Sequence, residues 1–168
     1  MKQLRIFLLL AAIATSLSME AQQTKIAYIN SQELLEKMPE ALAANDKYIA
    51  FARELDSIGS VYVNEYQKLV NQIQGDASLS EFAREAKIQD ALALEQRIQK
   101  YDADMQVKLE AKKQELYDPI IKSATEIVKQ VAKENGYTHV IDNSLGVLIM
   151  APEGDDILPL VKKKMNIQ

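Results

Sequence analysis

His139, Asp142 and Ser144 stand close together near the end of the chain, and an imidazole, a carboxylate and a hydroxyl in company are the groups of a nucleophilic relay. His139 and Asp142, however, fall on one stretch that reads as a strand, and their odd separation sends the two side chains to opposite faces. No catalytic residue is expected. The remaining chemical candidates are carboxylates, Asp102 with Asp104 and Glu153 with Asp155 and Asp156. Their spacing matches no cation-binding loop, and a solvated helix face and an acidic helix start account for them. With one His and no Cys, the chain is expected to hold no metal, thiol nucleophile or disulfide. It has no Gly-rich phosphate loop, so no nucleotide or other cofactor is expected either. Lys162, Lys163 and Lys164 could touch acidic headgroups, but three lysines at a helix end are more simply a complement to its dipole.

If chemistry is not what the residues offer, the elements must be. The 168 residues carry a formal charge of -4, which disfavours wholesale contact with phosphate backbones, so no nucleic-acid partner is expected. Lys2 and Arg5 precede the apolar run Ile6 to Ala14, and small and polar residues follow. This is the pattern of a secretory signal, too short for a membrane span. Residues 1–21 are read as that signal, with cleavage after Ala21 preferred to cleavage after Ser18. No Cys is available to carry a lipid. Removing Lys2, Arg5 and Glu20 from the 20 basic and 24 acidic residues leaves 18 and 23. Between Glu40 and Asp118 there are 10 basic and 15 acidic side chains, so the whole excess lies in the middle.

That middle is helical. Phe51, Leu55, Ile58, Tyr62, Tyr66, Leu69 and Ile73 recur at steps of three and four, a single stripe on a long helix. Gly59 inside it costs only about 1 kcal/mol relative to Ala. Gly75-Asp76-Ala77-Ser78 then reads as a stop and restart, with Ser78 as N-cap and Glu81 at its capping-box position. The return stripe runs Ile98, Tyr101, Met105, Leu109, Lys112, Leu116, Ile120. Pro39 stands about 37 residues before the turn and Pro119 about 42 after it, roughly 55 to 60 Å each way at 1.5 Å per residue. Two arms of equal reach predict an antiparallel hairpin.

The flanks read differently. Lys25 to Ile29 alternates as a strand, and Asn30 follows as N-cap with Glu33 as its reciprocal partner and Ile29 against Leu34 as a staple. Pro39 limits this first helix. Pro119 either kinks the returning helix or sits at N1 behind Asp118, and the apolar pattern beyond it ends at Asn135-Gly136. Tyr137 to Asp142 and Val147 to Met150 are expected to be strands around an Asn143 to Gly146 loop, and Asp155 to Met165 a last helix. The fold class is therefore α+β, with a body at residues 22–38 and 119–168 and a helical arm at 39–118. Three short strands leave unpaired edges, and a two-helix arm buries only a narrow seam. Several copies pooling their strands in one closed sheet would relieve both deficits. Ile26, Tyr28, Val140, Ile141, Val147, Leu148 and Ile149 are the residues expected at that shared contact.

The opening Lys25 to Ser31, the Leu34-Leu35 to Met38-Pro39-Glu40 segment, the charged hairpin, and Val131 to Ile141 followed by Val147-Leu148-Ile149 together resemble the OmpH-like (Skp) family of periplasmic chaperones over nearly the whole chain after residue 21. The resemblance implies a homotrimer with a β-barrel body and three helical tentacles. Their common cavity would hold unfolded outer-membrane proteins without ATP. The arms depart from the family's best-known, basic member in being acidic, so lipopolysaccharide binding is not carried over. Tyr48, Tyr62, Tyr66, Tyr101 and Met105 are adaptable or amphipathic side chains suited to weak client contacts, although a stripe at this spacing first of all zips the hairpin. An envelope adaptor whose arms bind a folded partner is the alternative function.

Overall fold

A run of alternating apolar residues can begin a sheet only if one face finds cover, and Lys25 to Ile29 finds it in helices from both ends of the chain. The computed structural model describes residues 24–167; the expected signal at 1–21 lies outside them. Strand β1, Ile26–Ile29, buries Ala27 and Ile29 and leaves Ile26 exposed. Asn30 then accepts the Glu33 N–H at 3.1 Å and starts helix α1, Ser31–Lys37. Ile29 and Leu34 share the core, as a staple requires. The reciprocal half of the expected capping box is replaced: the Glu33 carboxylate lies 4.0 Å from Lys162 Nζ. Met38, held extended before Pro39, ends α1.

Helix α2, Pro39–Gly75, and helix α3, Glu81–Glu134, form the predicted hairpin. At 37 residues α2 is about 55 Å long. The return stripe from Ile98 to Ile120 is half-buried throughout, and Leu55 is the most enclosed member of the outgoing one. Lys112 fits the stripe despite its charge because its stem lies along the seam and its ammonium sits 5.7 Å from the Phe51 ring centre. At the tip the expected N-cap is corrected by two residues. Asp76 Oδ1 takes both the N–H and the hydroxyl of Ser78, at 2.9 and 2.6 Å, so Ser78 is spent on the turn and Ser80 caps α3. Arg84 closes the tip by donating to the carbonyls of Ile73 and Asp76. Pro119 does not occupy N1: it lies inside α3, which runs on through it into the body.

α3 ends where Asn135 and Gly136 predict. Gly136 takes φ +73°, and the Tyr137 N–H reaches back to the Ala132 carbonyl at 2.9 Å. Strand β2, His139–Asp142, then runs parallel to β1, pairing Ile26 with His139 and Tyr28 with Ile141. Parallel neighbours need a crossover, and here the entire hairpin is that crossover. Tyr137 lies outside the strand, buried, with its hydroxyl donating to the Gly154 carbonyl. A 3-10 turn, Glu153–Asp155, and helix α4, Leu158–Lys164, complete the chain, so the last helix is shorter than the Asp155 to Met165 expected. Pro159 falls in its first turn, where no N–H is needed.

One expected element is absent. The Asn143 to Gly146 turn forms, with Gly146 at φ +66°, but Val147 to Met150 is not a strand. Asn143 Oδ1 takes the Leu148 N–H at 2.9 Å. Leu148 and Met150 thereby join Ile26, Tyr28 and Ile141 around one recess rather than running along the edge of β2.

The core gathers Ala27, Ile29, Leu34, Met38, Val131, Tyr137, Ile157 and Val161 from both flanks. Ile157 and Val161 are wholly enclosed. Truncating Ile157 to Ala removes buried methylenes at the junction of β1 and α4, and is expected to cost about 2 to 5 kcal/mol in urea unfolding; a loss below about 1 kcal/mol would show that this junction is not the centre of the body.

Candidate functional site

Two surfaces compete for the functional role, the open body and the long arm. In the body, Ala27 and Ile29 turn toward the core while Ile26, Tyr28 and Ile141 share the opposite face. Both faces of this two-stranded sheet are lined by apolar side chains. On one side a cavity of about 530 Å³ is bounded by Ile29, Leu34, Leu35, Ile121, Val128 and Val140. On the other a recess of about 420 Å³ contains Ile26, Tyr28, Ile141, Leu148 and Met150. Among the described residues β2 pairs only with β1, so its outer edge has no ladder partner. β1 is covered on its far side by a bridge from Tyr28 to Asp156.

Among the described residues, the loop beyond β2 is the most exposed apolar segment. Leu145 is 88% exposed, Val147 61% and Met150 92%, and Ile149 is fully open. A cluster of this kind marks a contact surface in a soluble protein. Of the oligomerisation candidates, the structure brings together Ile26, Tyr28, Ile141 and Leu148; Val140 lies on the opposite face, and Val147 and Ile149 are exposed and line neither recess. Burial, then the carboxylates of Asp156, Glu153 and Asp155, push the Tyr28 hydroxyl above its ordinary pKa.

The supposed relay comes apart in a way that has its own use. Asp142 accepts the Ser31 N–H at 3.2 Å, the Ser31 hydroxyl at 2.6 Å and the Ser144 N–H at 3.0 Å. Its carboxylate therefore caps the first N–H of α1 from the end of β2, joining the two flanks. His139 meets only the neighbouring Thr138 hydroxyl, at 2.9 Å. The lysine run is also engaged: Lys164 reaches Glu134 at 2.6 Å and Lys162 approaches Glu33.

On the arm, Tyr62 and Tyr101 meet edge to face with ring centres 5.3 Å apart, and the Tyr101 hydroxyl donates to the Leu55 carbonyl at 2.7 Å. Met105 lies beside them. These three candidates work first in closing the seam. Tyr48 and Tyr66 are half-buried farther along α2, so the five do not converge on one pocket. Apolar side chains that no stripe singled out are more available: Leu42, Val61 and Val63 on α2, and Phe82, Leu92 and Val107 on α3. Phe82, at the tip, is 86% exposed. Their only signal in the sequence was a helical angle that falls off the seam.

No helix among the described residues is long and apolar enough to cross a membrane, and no group of three or more His, Cys, Asp or Glu side chains among them is placed to hold a metal. Comparison with known proteins adds the following. The sequence model of the family described as "Outer membrane protein (OmpH-like)" matches residues 25–165. The fold is similar to the crystal structure of an OmpH-like protein from Caulobacter crescentus, with a TM-score of 0.68 at 12% identity over 84% of this chain and 83% of that one. No curated protein matches the sequence.

The Asp142 clasp gives a pH test. Burial works to raise its pKa, but the hydrogen bonds from Ser31 and Ser144 outweigh that and hold the carboxyl below its ordinary value. A carboxylate lowered in the folded state stabilises fully above the unfolded value of about 3.9, and that stabilisation is lost as pH falls through the folded value. Replacing Asp142 with Ala is expected to cost about 1 kcal/mol at neutral pH, in the range of a lost helix cap, and to flatten the fall in urea stability below pH of about 4. An unchanged acid limb would mean that the clasp does not carry charge-dependent stability.

Proposed function

The chain belongs to the OmpH-like outer membrane protein family, and from that premise we propose that it is an ATP-independent holdase of the periplasm, exported by the signal at residues 1–21, that keeps unfolded outer-membrane β-barrel proteins from aggregating. The observation that carries this reading is the incomplete body. A two-stranded sheet with an unpaired edge, apolar recesses on both faces and an exposed Leu145 to Met150 segment is what a subunit looks like before its neighbours are added. Three copies would place the exposed loop of one against the open sheet of the next, through Ile26, Tyr28, Val140, Ile141, Val147, Leu148 and Ile149. The body at 22–38 and 119–168 would then be a common base, and the arms at 39–118 would surround one cavity.

Holding an unfolded chain calls for many weak, exchangeable contacts rather than one deep pocket. Arms with half-buried Tyr48, Tyr62, Tyr66, Tyr101 and Met105, and more exposed Val63, Leu92 and Val107, offer scattered contacts of that kind. Single apolar side chains among charges do not form a continuous sticky face.

The test is dilution of a urea-unfolded outer-membrane β-barrel protein into buffer with the chain starting at residue 22, followed by light scattering. Aggregation of several unrelated barrels is expected to be suppressed at one client per oligomer, without any effect of ATP. Aggregation at the control rate with excess protein, together with saturable binding of a single folded envelope protein, would instead establish the adaptor role.

A further inference from the structure

Apolar side chains close most of the hairpin seam, but at mid-arm it opens into a recess of about 290 Å³. Gly59 lines it and makes room for the Tyr101 ring. A Cβ at that position would stand 3.1 Å from Tyr101 Cε1, tighter than ordinary contact, so the ring lies directly against the backbone of α2. Tyr62, Tyr101 and Met105 form the walls, while Asp56 from α2 and Asp102 from α3 supply carboxylates at the lining. Neither Asp56 nor Asp102 forms an ion pair among the described residues. The Tyr101 hydroxyl is pushed above its ordinary pKa by burial first, then by Tyr62 and the charges of Asp102, Asp56 and Glu54. Negative charge from both helices therefore converges here.

An aromatic recess with free carboxylates suits a long cationic side chain better than a purely apolar one. The methylene stem of Lys or Arg can lie on tyrosine and methionine while its head meets Asp56 and Asp102. Beside the recess, though not part of its lining, the Arg97 guanidinium lies 4.2 Å over the Tyr62 ring and donates to its hydroxyl at 3.3 Å, so a cation on one of these rings is a contact the arm already uses. The excess of acids over bases between Glu40 and Asp118, 15 against 10, extends the same preference over the arm as a field. We infer that the mid-arm recess seats a lysine or arginine side chain of a bound unfolded polypeptide, so that the arms select apolar segments carrying basic residues. This rests on the holdase reading and names its substrate class.

The test uses the chain from residue 22 and two fluorescent, unstructured peptides identical except that one carries Arg where the other carries Glu. Anisotropy at low and high salt gives their affinities. The Arg peptide is expected to bind about 5 to 10 times more tightly at low salt, in the range of a desolvated cation-aromatic contact, and to lose most of that margin at high salt. The double variant Asp56→Asn/Asp102→Asn should remove most of the margin. Asp90→Asn/Glu95→Gln, which removes the same charge elsewhere on α3, should keep it, with the helical circular dichroism of both variants unchanged. Equal binding of the two peptides, or equal loss in the two double variants, overturns the recess as a site, as does failure of both peptides to bind. Aggregation of a urea-unfolded barrel protein is followed in parallel. Suppression without charge preference defeats this inference alone, and no suppression defeats the holdase reading as well.

Discussion

Two parallel strands of four residues, joined by a crossover that contains almost all of the chain's helix, satisfy each other along one edge only. Among the described residues the outer edge of β2 has no ladder partner, and the loop that could have folded back along it is turned by Asn143 toward the sheet's face. Unpaired edges and large exposed apolar loops are both costly in an isolated subunit. The proposed assembly follows from this constraint, because one exchange between copies relieves both costs. The arm depends on the body in turn. α3 is 54 residues long against 37 for α2, and the surplus past Pro119 carries Ala124, Val131 and Ala132 into the core. The arm is anchored by the continuation of its own helix.

Charge and packing divide the labour along that arm. Near its base Lys112 lies over Phe51, at its middle Arg97 lies over Tyr62, and at its tip Arg84 holds the carbonyls of Ile73 and Asp76. These three basic side chains thus serve the hairpin itself, while Asp56 and Asp102 are left without ion pairs among the described residues. The arm as a whole remains acidic, with 15 acidic and 10 basic side chains between Glu40 and Asp118. The inferred preference for clients of basic character draws on that excess.

Much of this was legible in the residues. The hairpin was, because steps of three and four sustained over many turns fit only a helix, and the two stripes reach equally far. The caps at Asn30 and at Asn135-Gly136 were, because each uses local chemistry. What could not be read is non-local. The parallel pairing of Ile26 with His139 joins residues on either side of the whole arm, and no local spacing encodes it. Val147 to Met150 has the composition of a strand but lacks, within one subunit, an edge onto which its loop directs it. Ser78 and Ser80 are alike as caps until Asp76 claims the first. Gly59 was read as a minor helix cost, whereas its place against Tyr101 shapes the mid-arm recess. Phe82 and Val107 escaped notice because they sit off the seam.

The mass of the chain from residue 22 in dilute solution, by light scattering after size exclusion, bears most directly on shared strands. A homotrimer is expected, reduced to monomer by Ile149→Asp. A compact monomer at micromolar concentration, stable and resistant to proteolysis at Leu145 to Met150, would contradict it.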